Sequence, residues 1–292
     1  MYYLVYGFLW LLSLLPWKVL YSISNGIYAL VFYVFKYRQA VVMDNLRMAF
    51  PEKSEREIKL IAKRFYHNLI DTSIETIKMV STSKQSLLKR MTANWDSVNT
   101  YYKTGRNVQV LIGHNFNWEF CTATCPLKFE FPFVAVYMPM TSKIFENFFR
   151  KLRSHYGTIL IRATHMREDY AAYKNKQHLL ALGADQNPGN QANAWWFNFF
   201  GRPTPFVKGP AKGAISNNTI VVFAFIHKIR RGNYEIVFEL LTDNPAAFTE
   251  QELTGKFVHN LETVIRKYPD MWLWSHRRWK HKWKEEYGPV IQ

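Results

Sequence analysis

The spacing of apolar residues changes several times along this chain, and each change marks an element. Residues 1–35 are almost wholly apolar. Their one charge, Lys18, separates two uncharged runs of 17 residues, with Pro16 at the break. As a helix, one such run is about 25 Å long, slightly short of the ~30 Å hydrocarbon core of a bilayer. The pattern predicts an N-terminal membrane anchor over residues 1–38, either spanning once with a kink or lying in the interface. No basic segment precedes the apolar run and no small-residue cleavage site follows it, so it does not read as a cleaved signal peptide. Lys36, Arg38 and Arg47 come next, and for a spanning anchor this positive charge keeps the rest of the chain in the cytoplasm. The competing reading is a buried core hairpin; Trp10, Trp17 and the clustered tyrosines favour an interface.

Residues 39–50 read as a connection. Ser54-Glu55-Arg56-Glu57 then forms a capping box, in which serine and glutamate satisfy each other's end of the helix. Apolar Ile58, Ile61, Phe65, Leu69 and Ile77 carry that helix to about Val80, and a shorter helix covers 84–91. Alternation begins at Asn107 and predicts a strand to Ile112, with another at Phe133 to Tyr137. Residues 141–156 read as a basic amphipathic helix stopped by Gly157, and 158–161 as a strand. A helix is predicted over about 166–182, ended by Gly183. Strands at 219–227 and 234–242 flank the turn Arg231-Gly232-Asn233, and Thr249 to Glu252 opens a helix to about Lys267. Strands alternating with helices indicate an α/β domain with a layered mixed sheet flanked by helices, unbroken over 39–292.

Charge narrows the class of partner. A formal net charge of +16 seeks an anionic membrane, an acidic protein or nucleic acid. Aromatic residues make up 17% of the chain, and rings interleaved with cations suit the headgroup layer of a membrane. No nucleic-acid module is recognisable. The two cysteines, Cys121 and Cys125, make no disulfide framework and suit a reducing compartment. Their apolar neighbours read as ordinary buried thiols.

The chemistry concentrates in Gly113-His114-Asn115-Phe116-Asn117-Trp118-Glu119. Residues five apart on an ideal helix point about 140° away from each other. For His114 and Glu119 to cooperate, His114 must stand in a strand-to-helix turn and Glu119 in the first helical turn. Glu119 then orients one ring nitrogen, and the other takes a proton from a hydroxyl. As a bare pattern H-x4-E is weak, since nine histidines are present. A metal reading is weaker still, because no second histidine lies at helical spacing.

Other blocks supply the context: Asp44-Asn45-Leu46-Arg47, Phe50-Pro51, Arg162 in Ile-Arg-Ala, and Ala184-Asp185-Gln186-Asn187. They continue with Phe199-Phe200-Gly201-Arg202-Pro203, Lys208-Gly209-Pro210-Ala211 and Trp272-Leu273-Trp274-Ser275-His276-Arg277-Arg278-Trp279-Lys280. With the His114 block, in this order, the chain resembles the lipid A late acyltransferases (lauroyl- and myristoyl-transferases) of the lysophospholipid acyltransferase superfamily. The resemblance implies a glycerolipid-acyltransferase-like fold at the bacterial inner membrane, its catalytic domain facing the cytoplasm. It implies acyl transfer from a thioester, acyl carrier protein or acyl-CoA, to a hydroxyl of a lipid A precursor. No cofactor, metal or covalent acyl-enzyme is implied. His114 becomes the base and Glu119 its orienter, while Asp185 and Arg162 belong to the active-site rim. Arg202, Lys208 and Asn117 join them as expected substrate contacts; the cations suit phosphate oxygens.

Two departures bear on the acceptor. Met138 stands where many members have arginine, leaving Lys143 or Arg162 as candidates for anion contact, and Phe223 or Ala224 stands where a proline is frequent. A lysophospholipid or aminolipid acceptor shares the same motifs. A non-enzymatic alternative is a basic membrane- or nucleic-acid-binding protein with an incidental H-x4-E. The aromatic run Trp195 to Phe200 reads either as core or as an apolar wall. Residues 271–284, with four tryptophans and five Lys or Arg, read as a helical stripe for an interface or an acidic carrier protein.

Overall fold

The computed structural model describes all 292 residues. The N-terminal segment folds as two helices, α1 (Tyr2–Leu14) and α2 (Trp17–Ala29), the latter continuing through a π turn to Val34. They meet at 115° across Pro16, and no single helix is long and apolar enough to cross a membrane. The residues read as a connection form a further helix, α3 (Gln39–Ala49). Its buried Asn45 donates to the carbonyls of Trp274 and His276, both at 2.8 Å. The long helix α4 (Glu55–Lys78) starts at the expected capping box, Ser54 with Glu57. Helices α1, α2 and α3 all pack on it. Short helices α5 (Lys84–Arg90) and α6 (Asp96–Asn99) lead into the sheet.

Seven strands make the main sheet: β1 (Met91–Ala93), β2 (Val108–Ile112), β3 (Phe133–Tyr137), β4 (Ile159–Arg162), β5 (Leu179–Gly183), β8 (Ile220–Arg230) and β9 (Asn233–Thr242). Their order is β1-β9-β8-β2-β5-β3-β4. Every pairing is parallel except β8 with β9, so the sheet is mixed, as expected. The central strands are covered on both faces and are accordingly apolar on both: Ile220 to Ile226 is buried throughout. A smaller sheet joins β6 (Ala194–Phe199), β7 (Arg202–Val207) and β10 (Val290–Ile291).

Helix α7 (Trp118–Lys128) links β2 to β3, and α8 (Lys143–Ser154) links β3 to β4, with Gly157 turning the chain at φ +103° three residues past its end. Helix α10 (Gly209–Ser216) precedes β8. Helix α11 (Glu250–Lys267) packs on β8 and β9 and also on β6 of the smaller sheet.

Two sequence expectations fail here. The helix expected over 166–182 is only α9 (Met166–Tyr170); the chain then turns and enters β5. The apolar run Leu179-Leu180-Ala181-Leu182 belongs between β2 and β3, where a strand buries it on both faces. The stretch 271–284 is not a helix, and Trp272 and Trp274 are core residues, 1% and 0% exposed. The run Trp195 to Phe200 also lies mostly in the core, with Trp196, Phe197, Phe199 and Phe200 buried.

Candidate active site

Strands β2 and β5 are parallel neighbours, with Ile112 opposite Gly183. His114 and Asp185 each stand two residues past that paired position. Register alone therefore brings them together at the carboxyl edge of the sheet, where ligands of such sheets bind. Nδ1 of His114 lies 2.5 Å from Oδ1 of Asp185, and the His114 backbone N–H donates to Oδ2 at 2.7 Å. Trp272 Nε1–H donates to the same Oδ2 at 2.6 Å. The Asp185 side chain is fully buried, whereas 28% of the His114 side chain is accessible.

Burial opposes both charges, but the pair outweighs it. Asp185 is held below the usual carboxylate range by the His114 charge and by its three donors. Burial pushes the His114 ring down, yet the Asp185 charge and hydrogen bond raise it above its ordinary value. Nε2 makes no protein hydrogen bond, so the ring has one nitrogen fixed and one free.

Close packing makes this pose possible. A Cβ on Gly113 would fall 2.6 Å from Leu261 Cδ1, and one on Gly183 would fall 2.9 Å from His114 Cε1. The imidazole lies directly over the Gly183 backbone. Gly183→Ala is expected to push the ring aside and cut kcat/KM about 10²-fold, the scale of an ångström misplacement, in a folded protein. Steady-state kinetics beside a circular dichroism melt checks this; unchanged kinetics would show that the ring has room to spare.

The ring partner is therefore not the one expected from the motif. Glu119 does lie in the first turn of α7, but its carboxylate accepts from Arg153 at 2.6 and 2.9 Å and from Trp118 Nε1 at 3.0 Å. It is a buried ion pair tying α7 to α8, with the side chains 4% and 18% exposed. Asp185, expected at the rim, is the residue beneath the histidine. Arg153 carried no motif; it is one of several cations on a basic helix, and its partner lies 34 residues away in the chain.

The other expected contacts separate in space. Asn117 is buried, caps α7 by accepting from Phe120 N–H, and donates to Glu75 Oε2 at 2.6 Å. Arg162 ends β4 with its guanidinium clasped by Asp169 at 2.7 and 2.8 Å. Lys208 begins α10 with its ammonium 3.9 Å from the Trp195 ring centre. Arg202 is exposed on β7 in the smaller sheet. None of these four donates to His114 or Asp185. Met138 is 66% exposed just beyond β3, at the same sheet edge as His114.

Two frames hold the loop. The segment 271–279 is one: Phe116 N–H donates to the Met271 carbonyl at 2.9 Å, and Asn115 bridges Trp272. Behind it the buried Arg278 donates to Asn187 Oδ1 at 2.6 Å and to the Pro205 carbonyl at 2.8 Å. Burial and the Arg278 charge keep His276 neutral, with a pKa near 4. The second frame is Glu75 of α4, which accepts from Tyr21, Tyr234 and Asn117. Burial drives its pKa up to about 7, against the tyrosine hydrogen bonds. No sequence signal marks Glu75, since one acid inside an amphipathic helix reads as a surface residue.

The separate motif blocks thus converge on one place. The family model for bacterial lipid A biosynthesis acyltransferases matches residues 1–281. This chain belongs to that family. Membership makes it an acyltransferase, and the family's work is acyl transfer in lipid A biosynthesis. No curated protein matches the chain closely enough to count as a relative. In this acyltransferase the His114–Asp185 pair has the chemistry of a proton acceptor: a tautomer fixed at Nδ1 and a free, partly accessible Nε2.

Proposed function

We propose that this enzyme transfers a fatty acyl chain from an acyl thioester to a hydroxyl of a lipid A precursor, with His114 as general base. The observation that carries this reading is the free Nε2 of a ring whose other nitrogen is held by buried Asp185. The acceptor oxygen attacks the thioester carbonyl carbon as its proton passes to Nε2. The tetrahedral adduct then expels the sulfur, which leaves as a thiol after taking the proton back from the imidazolium. An ester forms and a thioester is cleaved, with no acyl-enzyme between. Glu119 and Arg153 contribute by locking α7 against α8 beneath Trp118.

Acyl carrier protein is the donor that the +16 charge favours, since that carrier is strongly acidic. A lipid acceptor calls for a membrane surface, and the fold leaves apolar side chains uncovered in the N-terminal helices. Leu4, Phe8 and Leu11 of α1 are 79%, 66% and 61% exposed, at helical spacing. Val34 and Phe35, after α2, are 64% and 70% exposed. These faces suit a pair of helices lying in the interface of the bacterial inner membrane, with the catalytic domain in the cytoplasm.

His114→Ala is expected to abolish acyl transfer while fold and membrane binding persist. The direct test is mass spectrometry of lipid A and total lipids from cells carrying wild type, His114→Ala or no protein. Loss of one acyl chain from lipid A in both deficient strains supports the reading. Unchanged lipid A with a change in another lipid would replace the acceptor, and near-normal acylation by His114→Ala would remove the base.

A further inference from the structure

A second cleft, of about 580 Å³, opens at the same sheet edge but beyond β8, whereas His114 lies between β2 and β5. One wall is a face of α4 carrying Lys63, Arg64, His67 and Asp71, which recur at helical spacing. The facing wall is the β8–β9 hairpin, with Lys228 and Arg231. Four cations thus meet two carboxylates, Asp71 and Asp270. The carboxylates are occupied. Asp71 takes Arg231 at 2.6 and 2.9 Å, and Asp270 accepts from Asn68 at 3.0 Å. Arg231 is further tied to Asn25 at 2.9 Å, and Lys228 donates to Asn68. Lys63 and Arg64 make no salt bridge, so the cleft keeps a pre-positioned excess of positive charge.

Its surroundings point to the source of the anion. Lys63 Nζ lies 5.8 Å from the Tyr33 ring centre, and His67 stacks on Tyr28 at 3.8 Å. Tyr33 is exposed against Lys63 and is followed in the chain by the exposed Val34 and Phe35; Leu60, one turn before Lys63 on α4, is exposed as well. Cations inside and bare apolar side chains outside match a molecule with an anionic phosphate head and hydrocarbon tails. A free anion would use the cations and leave the apolar rim without a role.

We propose that this cleft binds the phosphate headgroup of an anionic phospholipid of the bilayer, docking the acyltransferase through a site separate from its catalytic pair. The site is a lipid-recognition element, and its test reads binding rather than turnover, so it stands or falls independently of the acceptor assigned above. The full-length protein is sedimented with phosphatidylcholine vesicles, with and without phosphatidylglycerol. Three proteins are compared: wild type, Lys63→Gln/Arg64→Gln, and a control of equal net charge, Lys103→Gln/Lys174→Gln, whose sites are exposed elsewhere. Circular dichroism verifies that each is folded. The cleft variant is expected to lose tenfold or more of its affinity for phosphatidylglycerol vesicles, given the usual contribution of two surface cations, while the control stays within about twofold of wild type. Equal losses in both variants would reduce the effect to net charge and overturn the proposal. Inorganic phosphate is the second probe: if millimolar phosphate raises the melting temperature of wild type but not of the cleft variant, while the two proteins bind phosphatidylglycerol vesicles equally, the cleft is a free-phosphate site and the lipid assignment is overturned.

Discussion

Asp185→Asn is expected to lower kcat about 10³-fold in a protein that still folds, because it puts the proton on the wrong nitrogen. Oδ2 of Asp185 accepts from two donors, the His114 backbone N–H and Trp272 Nε1–H. In the asparagine variant that position must remain an oxygen, since an amide nitrogen there would face two N–H groups. The amide NH2 then occupies the Oδ1 position, opposite His114 Nδ1. Nδ1 has to accept, the ring proton moves to Nε2, and the nitrogen facing the substrate can no longer act as a base. The pH profile distinguishes this from general damage. Asp185 raises the pKa of His114, so wild-type activity, which needs the neutral ring, rises with pH through a value above the ordinary 6.5. Removing the negative charge lowers that pKa, and the acid limb of the residual activity moves to lower pH. Glu119→Gln leaves the Asp185 bond in place and should not move the limb. A profile that shifts with Glu119→Gln and not with Asp185→Asn would reverse the assignment.

The histidine was legible in the sequence and its partner was not, for a geometric reason. His114 stands where an apolar alternation stops at a glycine, a local pattern readable in one window. The His114–Asp185 bond is set by the register of two strands 71 residues apart in sequence. Reading Leu179 to Leu182 as the end of a helix hid that register, because four apolar residues before a glycine suit a helix terminus and a buried parallel strand equally well. The helix starts at Ser54 and Thr249 were legible because a capping box is a local device. The tryptophans of 271–279 misled for the opposite reason: cations among aromatics imitate an interfacial helix. Here Trp272 turns inward to Asp185, Trp274 reaches the Pro269 carbonyl, and Arg278 is buried with its guanidinium 4.4 Å from the Phe206 ring centre. Order and identity of the motifs showed that these blocks belong together; only their backbone contacts show that they hold the histidine loop.

The same logic makes Glu75 a residue whose loss should cost the fold heavily. Its carboxylate gathers a hydroxyl from α2, a hydroxyl from β9 and the amide of Asn117 in the catalytic loop, at 2.8, 2.8 and 2.6 Å. In Glu75→Leu, Asn117 Nδ2 and two tyrosine hydroxyls lose their acceptor, Asn117 and Tyr234 at fully buried contacts. At about 1–3 kcal/mol for each stranded group, partly relaxed, the loss is about 3–5 kcal/mol, or roughly 10 °C in Tm. Glu75→Gln behaves differently. Its oxygen keeps Asn117 and Tyr234, and its NH2 donates to Tyr21, whose hydroxyl rotates to accept. The difference between Gln and wild type depends on pH with a fixed sign. Burial raises the Glu75 pKa from 4.5 to about 7, so the folded state holds a proton that the unfolded state releases. Wild-type stability from this group therefore falls as pH rises from 4.5 to about 7, then levels off. Glu75→Gln has no such slope and gains on wild type across that window. Thermal melts of the three proteins below and above it give the answer: a leucine variant as stable as the glutamine one would mean that the network is not what holds α4 to the loop. Because Asn117 caps the helix that follows His114, the leucine variant should also lose activity beyond its loss of folded protein, through a ring no longer held over Gly183.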